Sequence, residues 1–193
     1  LGVDPINIAA HIYISLQEII AREISATQSA VLTIGKFVAG EAANIIPGEV
    51  VMEGTIRSLN KEIGEFIFNR VNDIVISTAK MFRGEAELIE LSSVPPLTND
   101  TELSKEVTSY LKDLLGEKSV VLFEGGGMGS EDFASYSYKV PSVYLMLGAG
   151  TKQENPLYGE AMHNEKVVFN EDILVTGAAM HTYSAIMWLK NNK

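Results

Sequence analysis

Two stretches in the first half of the chain carry apolar residues at three- and four-residue steps, the spacing that predicts amphipathic helices. The first begins at Asp4-Pro5, where Asp suits the N-cap and Pro the first helical position, and ends near Ile24. The second runs from Asn60 to Arg83 and stops at Gly84. The apolar stripes consist of Ile8, Ile12, Leu16, Ile19 and Ile20, and of Ile63, Ile67, Val71, Ile74 and Val75.

Three β-rich segments accompany these helices. Residues 31–38 and 50–57 predict two adjacent strands joined through a turn at 46–49, and residues 86–91 predict a third. The order α-β-β-α-β lacks only an initial strand to form a ferredoxin-like β-α-β-β-α-β unit. That strand would precede Leu1, so we expect the chain to be a piece of a longer protein.

The second half follows a stiff, proline-containing connection at residues 94–100, the best candidate for a domain boundary. A helix is predicted over 101–115 and another from about 171 to 189. The short apolar runs 119–123 and 143–147 predict strands buried on both faces. This alternation is typical of the edge of an α/β sheet, with too few strands to stand alone.

Composition removes several classes of function. The 193 residues include 15 Lys and Arg against 25 Asp and Glu, a net charge of −10, which argues against nucleic acid and anionic membrane partners. There is no cysteine, so disulfides and thiolate metal sites are excluded. No apolar run is long enough to span a bilayer, and the first residues do not resemble a signal peptide. We therefore expect a cytoplasmic protein without a membrane partner.

His163 is the first candidate for chemistry, because it lies in an irregular loop after a predicted buried strand, where α/β proteins place ligand and metal sites. Without thiols, imidazole is the natural metal ligand. The alternative is a surface histidine without a role. His11 and His181 lie within predicted helices and are interpreted as surface or packing residues.

A glycine-rich segment from Glu124 to Phe133 follows a predicted strand and opens a short helix. It does not match the phosphate-binding P-loop or the dinucleotide-binding fingerprint. Glu131 and Asp132 suit the first turn of a helix and would repel a phosphate, so nucleotide binding is disfavoured.

Asn44 and Arg57 are interpreted as belonging to the two adjacent strands of the first half. An Arg fork can bind a carboxylate with two hydrogen bonds, and an Asn amide can donate to a carbonyl oxygen. The alternatives are turn chemistry for Asn44 and a solvated charge at the end of a strand for Arg57.

Six ordered segments resemble the M20 metallopeptidase family, specifically its amidohydrolase branch of N-acyl-amino-acid, hippurate and auxin-conjugate hydrolases. The resemblance extends across essentially all 193 residues. The segments are Val3-Asp4-Pro5-Ile6 with Leu16-Gln17-Glu18-Ile19-Ile20-Ala21-Arg22-Glu23, Asn44-Ile45-Ile46-Pro47, Gly54-Thr55-Ile56-Arg57, Pro95-Pro96-Leu97-Thr98-Asn99-Asp100, Gly129-Ser130-Glu131-Asp132-Phe133, and Met162-His163-Asn164-Glu165.

The resemblance implies a fold of two parts, α+β and α/β. Residues 1–92 would be a ferredoxin-like lid, or dimerisation, domain lacking its first strand, and residues 93–193 the C-terminal part of an α/β metallohydrolase catalytic domain. It also implies a homodimer formed through the lid.

For the site, the resemblance implies that His163 is a metal ligand. Asn44 and Arg57 match lid residues that hold the substrate carboxylate or the tetrahedral intermediate, often in the neighbouring subunit. Gly129 and Glu131 match a segment that we expect to shape the floor of the substrate pocket.

The family's other metal ligands and its catalytic Glu pair precede the lid, and this sequence does not contain them. The complete enzyme would use two divalent ions (Zn, Mn, Co or Ni) to activate water against the amide of an N-acyl amino acid. One histidine cannot hold a metal pair, so we expect the chain alone to be inactive. The alternative function is a non-enzymatic interaction module that dimerises through the exposed edge of the lid-like sheet.

Overall fold

The computed structural model describes residues 2–123 and 125–193, which combine helices with a small sheet. The chain divides into two compact units. Unit 1 contains Leu1–Leu97 together with Gly125–Ala134, and unit 2 contains Thr98–Glu124 together with Ser135–Lys193. The division after Leu97 lies inside the proline-containing connection, whereas Gly125–Ala134, called the glycine-rich segment below, joins unit 1.

Unit 1 is built from two helices and a hairpin. Its elements are α1 (Pro5–Glu18), a π-helical turn (Ile19–Glu23), β1 (Ala30–Ala39), β2 (Val50–Ser58) and α2 (Lys61–Met81). These confirm the two helices and the first two strands predicted from the sequence.

The predicted N-cap chemistry is also present in unit 1. Asp4 Oδ1 accepts hydrogen bonds from the backbone N–H of Ile6 at 2.9 Å and of Asn7 at 3.3 Å. Asn60 Oδ1 accepts from the N–H of Ile63 at 3.0 Å. Each cap satisfies N–H groups that have no partner within their helix, which sets where α1 and α2 begin.

β1 and β2 pair antiparallel, with Val31 opposite Arg57 and Ile34 opposite Gly54. The register shifts between Ile34 and Lys36, so Gly35 forms a bulge. A Cβ on Gly54 would lie 2.4 Å from the Thr33 carbonyl oxygen, so the strands approach this closely only because residue 54 is glycine.

The core of unit 1 lies between the inner faces of α1, α2 and the hairpin. The predicted apolar stripes supply it, because side chains three and four residues apart share one helix face. The buried residues are Ile8, Ile12, Leu16, Ile19, Ile67, Val71, Val75 and Ala79, with Leu32, Ile34, Met52 and Ile56 of the hairpin packed against them.

Residue 83 is the left-handed residue that ends α2. Arg83 has φ 64°, and the N–H of Gly84 donates to the Ala79 carbonyl at 2.9 Å, closing the helix end. Gly84 is required for a different reason, since a Cβ there would lie 2.4 Å from Ile8 Cδ1. The helix stops where the sequence predicts, and the glycine serves packing against α1.

The prediction of a third strand at residues 86–91 is wrong. Among the described residues the sheet contains β1 and β2 alone, and 86–91 pairs with neither. Ala86 and Leu88 pack against the unit 1 core, whereas Ile89 and Leu91 are exposed. The segment has the alternating apolar pattern of a strand without a neighbouring backbone to pair with.

Unit 2 is mainly helical. Its long helices are α3 (Thr101–Leu115) and α5 (Ile173–Asn191), which share a core of Val107, Leu111 and Met180. A short helix, α4 (Ala134–Ser137), follows the glycine-rich segment. Both long helices agree with the sequence prediction to within a few residues.

The predicted buried strands at 119–123 and 143–147 are also wrong. The first is a 3-10 turn (Glu117–Ser119) followed by extended chain, and neither segment joins a ladder among the described residues. Leu122 is 70% exposed, Phe123 81% and Met146 76%. A strand buried on both faces needs a neighbour along each edge, and the described residues provide none.

Candidate functional site

Arg57 is the second-to-last residue of β2, and its side chain is exposed. The strand pattern directs it away from the core, since its neighbour Ile56 packs inward. Its Nη1 donates a hydrogen bond of 2.5 Å to the carbonyl oxygen of Met128. Among the described residues, Arg57 forms no ion pair, so this guanidinium has donors available for a ligand.

The glycine-rich segment Gly125–Ala134 therefore contacts the end of β2 within unit 1. A second contact lies beside the first, because a Cβ on Gly126 would lie only 3.2 Å from Leu59 Cδ2. Gly129 is exposed, with open space where a side chain would begin.

Glu131 lies in the same segment and stabilises the turn before α4. Its Oε1 accepts a hydrogen bond from the Phe133 N–H at 3.1 Å, and its carbonyl accepts from the Ala134 N–H at 3.0 Å. The carboxylate thus serves local backbone structure, as an acidic residue before a helix is expected to do. The structure brings Arg57 to the segment that carries Gly129 and Glu131.

Asn44 lies in the turn between the strands, which corrects its assignment to a strand. The Ile45 N–H donates to the Ala42 carbonyl at 3.2 Å, and Asn44 is exposed within that turn. Arg57 is at the other end of β2, and seven residues of strand span roughly 23 Å. Within one chain, Asn44 and Arg57 are therefore not neighbours.

His163 lies in unit 2, in an exposed turn with φ 65°, a backbone conformation that is costly for a residue with a Cβ. The Asn164 N–H donates to the Ala161 carbonyl at 3.3 Å, and Asn164 Oδ1 accepts from the Lys166 N–H at 2.9 Å. These bonds stabilise the turn in which His163 has its strained φ. Strained backbone of this kind is common at functional sites.

The loop around His163 closes on itself. The Asn170 N–H donates to the Ala149 carbonyl at 2.9 Å, joining its two ends. The ring of Tyr158 covers Gly150, where a Cβ would lie 2.3 Å from Cδ2 and φ is 113°. The loop is therefore stabilised by its own contacts, as compact functional loops commonly are.

The donor set does not fit a metal pair. No group of three or more His, Asp or Glu side chains is clustered for metal binding in the described parts of the chain. Glu160, the carboxylate three residues before His163, accepts a hydrogen bond of 3.2 Å from Asn164 Nδ2. A catalytic metal needs about three protein ligands, so these residues alone supply at most one part of such a centre.

Sequence reasoning missed an ion-pair cluster at the end of the π-helical turn. Arg70 donates from Nε and Nη2 to Glu23 at 2.6 and 2.8 Å, and from Nη1 to Asp73 at 3.2 Å. The hydrogen bond from Arg70 lowers the pKa of the Glu23 carboxyl, more than its partial burial raises it. The two residues are 47 positions apart, so only the packing of the π-helical turn against α2 reveals the pair.

Sequence reasoning also missed the contact between Arg57 and Met128, because a backbone carbonyl acceptor leaves no signal in residue type.

The sequence predicts that no segment spans a bilayer. Over the residues described, none of the helices combines the length and hydropathy required to cross one.

Comparison with known proteins extends these observations. The profile of peptidase family M20/M25/M40 matches residues 11–186. An IAA-amino acid hydrolase of Arabidopsis thaliana is 31% identical over 97% of this chain and 42% of its own length. The hippurate hydrolase of Campylobacter jejuni is 29% identical over 97% of this chain and 47% of its own. A thermostable carboxypeptidase of Saccharolobus solfataricus is 31% identical over 95% and 46%.

Solved structures agree at the level of the fold. A protein of methicillin resistant Staphylococcus aureus matches with a TM-score of 0.77 at 27% identity, covering 96% of this chain and 46% of that one. A dinuclear metal-binding peptidase of Bacillus subtilis matches with a TM-score of 0.75 at 24% identity, covering 97% and 47%. The chain spans about half the length of the relatives that it matches.

Proposed function

The chain belongs to peptidase family M20/M25/M40, and from this we propose that it is part of a metal-dependent amidohydrolase that cleaves the amide bond of N-acyl amino acids. Its relatives are hydrolases, among them one named for hippurate, which is benzoylglycine, and one named for IAA-amino acid conjugates. In this proposal residues 1–92 are a ferredoxin-like lid, and residues 93–193 are the C-terminal part of an α/β catalytic domain in a cytoplasmic enzyme.

The proposed substrate class is based on the exposure of Arg57 and on the absence of an acidic partner for it among the described residues. Its guanidinium is exposed at the end of β2 and donates to a neutral carbonyl, in a chain with 15 cationic against 25 acidic side chains. Such a cation attracts a carboxylate, and an N-acyl amino acid carries one free carboxylate beside the amide to be cleaved. Arg57 would bind that carboxylate and so place the amide relative to the reacting groups.

Asn44 would donate its side-chain amide to the substrate carbonyl and to the oxyanion that forms from it. Because Asn44 and Arg57 lie at opposite ends of β2, one chain cannot direct both side chains at the same small substrate. The two residues would then serve different active sites of a homodimer formed through the lid. Gly129 and Glu131 would shape the pocket floor beside Arg57.

We propose that His163 contributes one ligand to a site for two divalent ions of Zn, Mn, Co or Ni. Bound metals of this kind lower the pKa of water and polarise a carbonyl. The remaining ligands would come from polypeptide outside the described residues, since the donor set within them is insufficient. The closed loop of residues 149–170 would keep His163 oriented for that role.

The direct test is hydrolysis of hippurate by the intact protein isolated from its source cells, with each of the four metals added in turn. Release of benzoate and glycine, together with a mass roughly double that of this chain, is the expected result. A native mass equal to that of this chain, with no hydrolysis under any metal, would instead favour a dimerising module without a reaction.

A further inference from the structure

We propose that Met128 and Gly126 position Arg57, so that the guanidinium presents one defined edge to the carboxylate of a ligand. The proposal rests on the proposed function insofar as Arg57 is the carboxylate partner. It adds the residues that orient Arg57, which lie 69 to 71 positions further along the chain. All of them belong to unit 1.

Arg57 donates from Nη1 to the Met128 carbonyl oxygen at 2.5 Å. A guanidinium is planar and carries five N–H donors in a fixed fork. Holding Nη1 therefore restricts the rotation of the group and favours one direction for the Nε and Nη2 donors, which lie along the other edge.

Arg70 of the same chain shows how a guanidinium bound through Nη1 can hold a carboxylate along its other edge. In Arg70 the Nε and Nη2 edge binds both oxygens of the Glu23 carboxylate, at 2.6 and 2.8 Å, while Nη1 binds a different oxygen, that of Asp73. Arg57 repeats half of this pattern, with Nη1 bound to Met128. The edge that Glu23 occupies in Arg70 forms no ion pair in Arg57 among the described residues.

The close approach of Gly126 to the end of β2 brings the Met128 carbonyl toward Arg57. Gly126 lies against Leu59, the residue after β2, and a Cβ there would be 3.2 Å from Leu59 Cδ2 and 3.6 Å from Cδ1. A Cβ at 3.2 Å is closer than ordinary contact, and valine would add two methyl groups beyond it, so we expect Gly126→Val to shift the segment and lengthen the Met128 bond. Gly127 offers the matched comparison, because a Cβ there meets nothing within 4 Å.

Orienting a long, exposed side chain in advance lowers the entropy that a ligand must remove on binding. An Arg57 that rotates freely would still attract an anion but would form the two-bond geometry less often. We therefore expect the positioning residues to affect carboxylate ligands and to leave uncharged analogues unaffected.

The experiment is calorimetric titration of the intact protein, kept free of metal by a chelator so that neither ligand is hydrolysed, with hippurate and with its uncharged amide, hippuramide. Gly126→Val is expected to raise the hippurate Kd about five- to tenfold while the hippuramide Kd stays unchanged. Gly127→Val is expected to leave both values at wild type. Adding Leu59→Ala to Gly126→Val removes the obstructing methyl groups and is expected to restore hippurate binding.

Two further outcomes separate this inference from the proposed function. If Arg57→Ala weakens hippurate binding but Gly126→Val and Gly127→Val behave alike, the positioning role is wrong and Arg57 keeps its role. If Arg57→Ala leaves hippurate binding unchanged, the carboxylate role of Arg57 is itself wrong. General damage to the fold would weaken the binding of hippurate and hippuramide together, and Leu59→Ala would not restore it. That result would also contradict the positioning role.

Discussion

The side chain of Asn99 pairs with both backbone polar groups of Tyr144. Asn99 Nδ2 donates to the Tyr144 carbonyl at 3.0 Å, and Asn99 Oδ1 accepts from the Tyr144 N–H at 2.7 Å. The next residue adds a backbone bond, from the Asp100 N–H to the Ser142 carbonyl at 2.9 Å. Through these bonds a side-chain amide takes the place of a neighbouring strand for residues 142–144.

Asn99→Asp is expected to destabilise unit 2 by about 1 kcal/mol. A carboxylate can still accept from the Tyr144 N–H, but it cannot donate to the carbonyl, and the two oxygens repel each other. Urea unfolding followed by the fluorescence of Trp188 in α5 measures the change. Asn69→Asp, the same chemical change at an exposed position of α2, is the control. Equal midpoints for the two variants would contradict the pairing role.

The Glu23–Arg70 pair is expected to make unit 1 sensitive to acid. Arg70 lowers the pKa of Glu23 in the folded state, so the pair stabilises the fold fully above the unfolded pKa of a glutamate, near 4.5. That contribution is lost as the pH falls from there through the lowered folded value. The pKa of Arg70 is raised, so the arginine stays charged throughout this range.

Glu23→Gln is therefore expected to destabilise the protein at pH 7 and to flatten its loss of stability below pH 5. Thermal melts between pH 3 and pH 7 test this. Glu53→Gln removes the partner of a half-exposed pair with Lys36 on the sheet and provides the control. An acid transition as steep in Glu23→Gln as in wild type would show that the pair does not govern this pH range.

Gly84→Ala is expected to cost about 1–3 kcal/mol of stability. The added methyl group would lie 2.4 Å from Ile8 Cδ1, inside the core between α1 and the end of α2. Gly48→Ala, where a Cβ meets nothing within 4 Å, should have little effect. Chemical denaturation of both variants compares them, and a Gly84→Ala protein as stable as wild type would mean that Ile8 repacks freely.

His163→Gly is expected to be more stable than His163→Ala by about 1 kcal/mol. Both substitutions remove the imidazole, but only glycine adopts φ 65° without steric cost. Differential scanning calorimetry of the two variants measures the difference. Alanine equal to or better than glycine would contradict the strained backbone at this turn.

If the intact protein hydrolyses hippurate as proposed, Arg57→Ala is expected to lower kcat/KM by about 30- to 1,000-fold, the effect of losing about 2–4 kcal/mol of charge-assisted hydrogen bonding from an Arg57 that the bound substrate desolvates fully. Arg57→Lys should restore only part of the loss, because an ammonium lacks the two-donor edge. Unchanged kcat/KM in Arg57→Ala would remove this residue from substrate binding.

Local sequence patterns determined the helices and the hairpin. The caps at Asp4 and Asn60 and the apolar stripes on α1 and α2 act within a few residues, so neighbouring positions suffice to predict them. Residue type, motif order and resemblance likewise identify the candidate residues Arg57, Gly129, Glu131 and His163 from sequence. Their roles stay predictions.

Only the tertiary structure decided which extended segments become strands. Residues 86–91, 119–123 and 143–147 have the composition of strands, but a strand requires a second backbone at its edge, which composition does not specify. Three contacts join residues that are 45 to 71 positions apart in sequence: Asn99 with Tyr144, Glu23 with Arg70, and Arg57 with Met128. Packing brings these residues together, and some of the bonds use backbone groups that are the same in every residue. The sequence alone therefore does not reveal them.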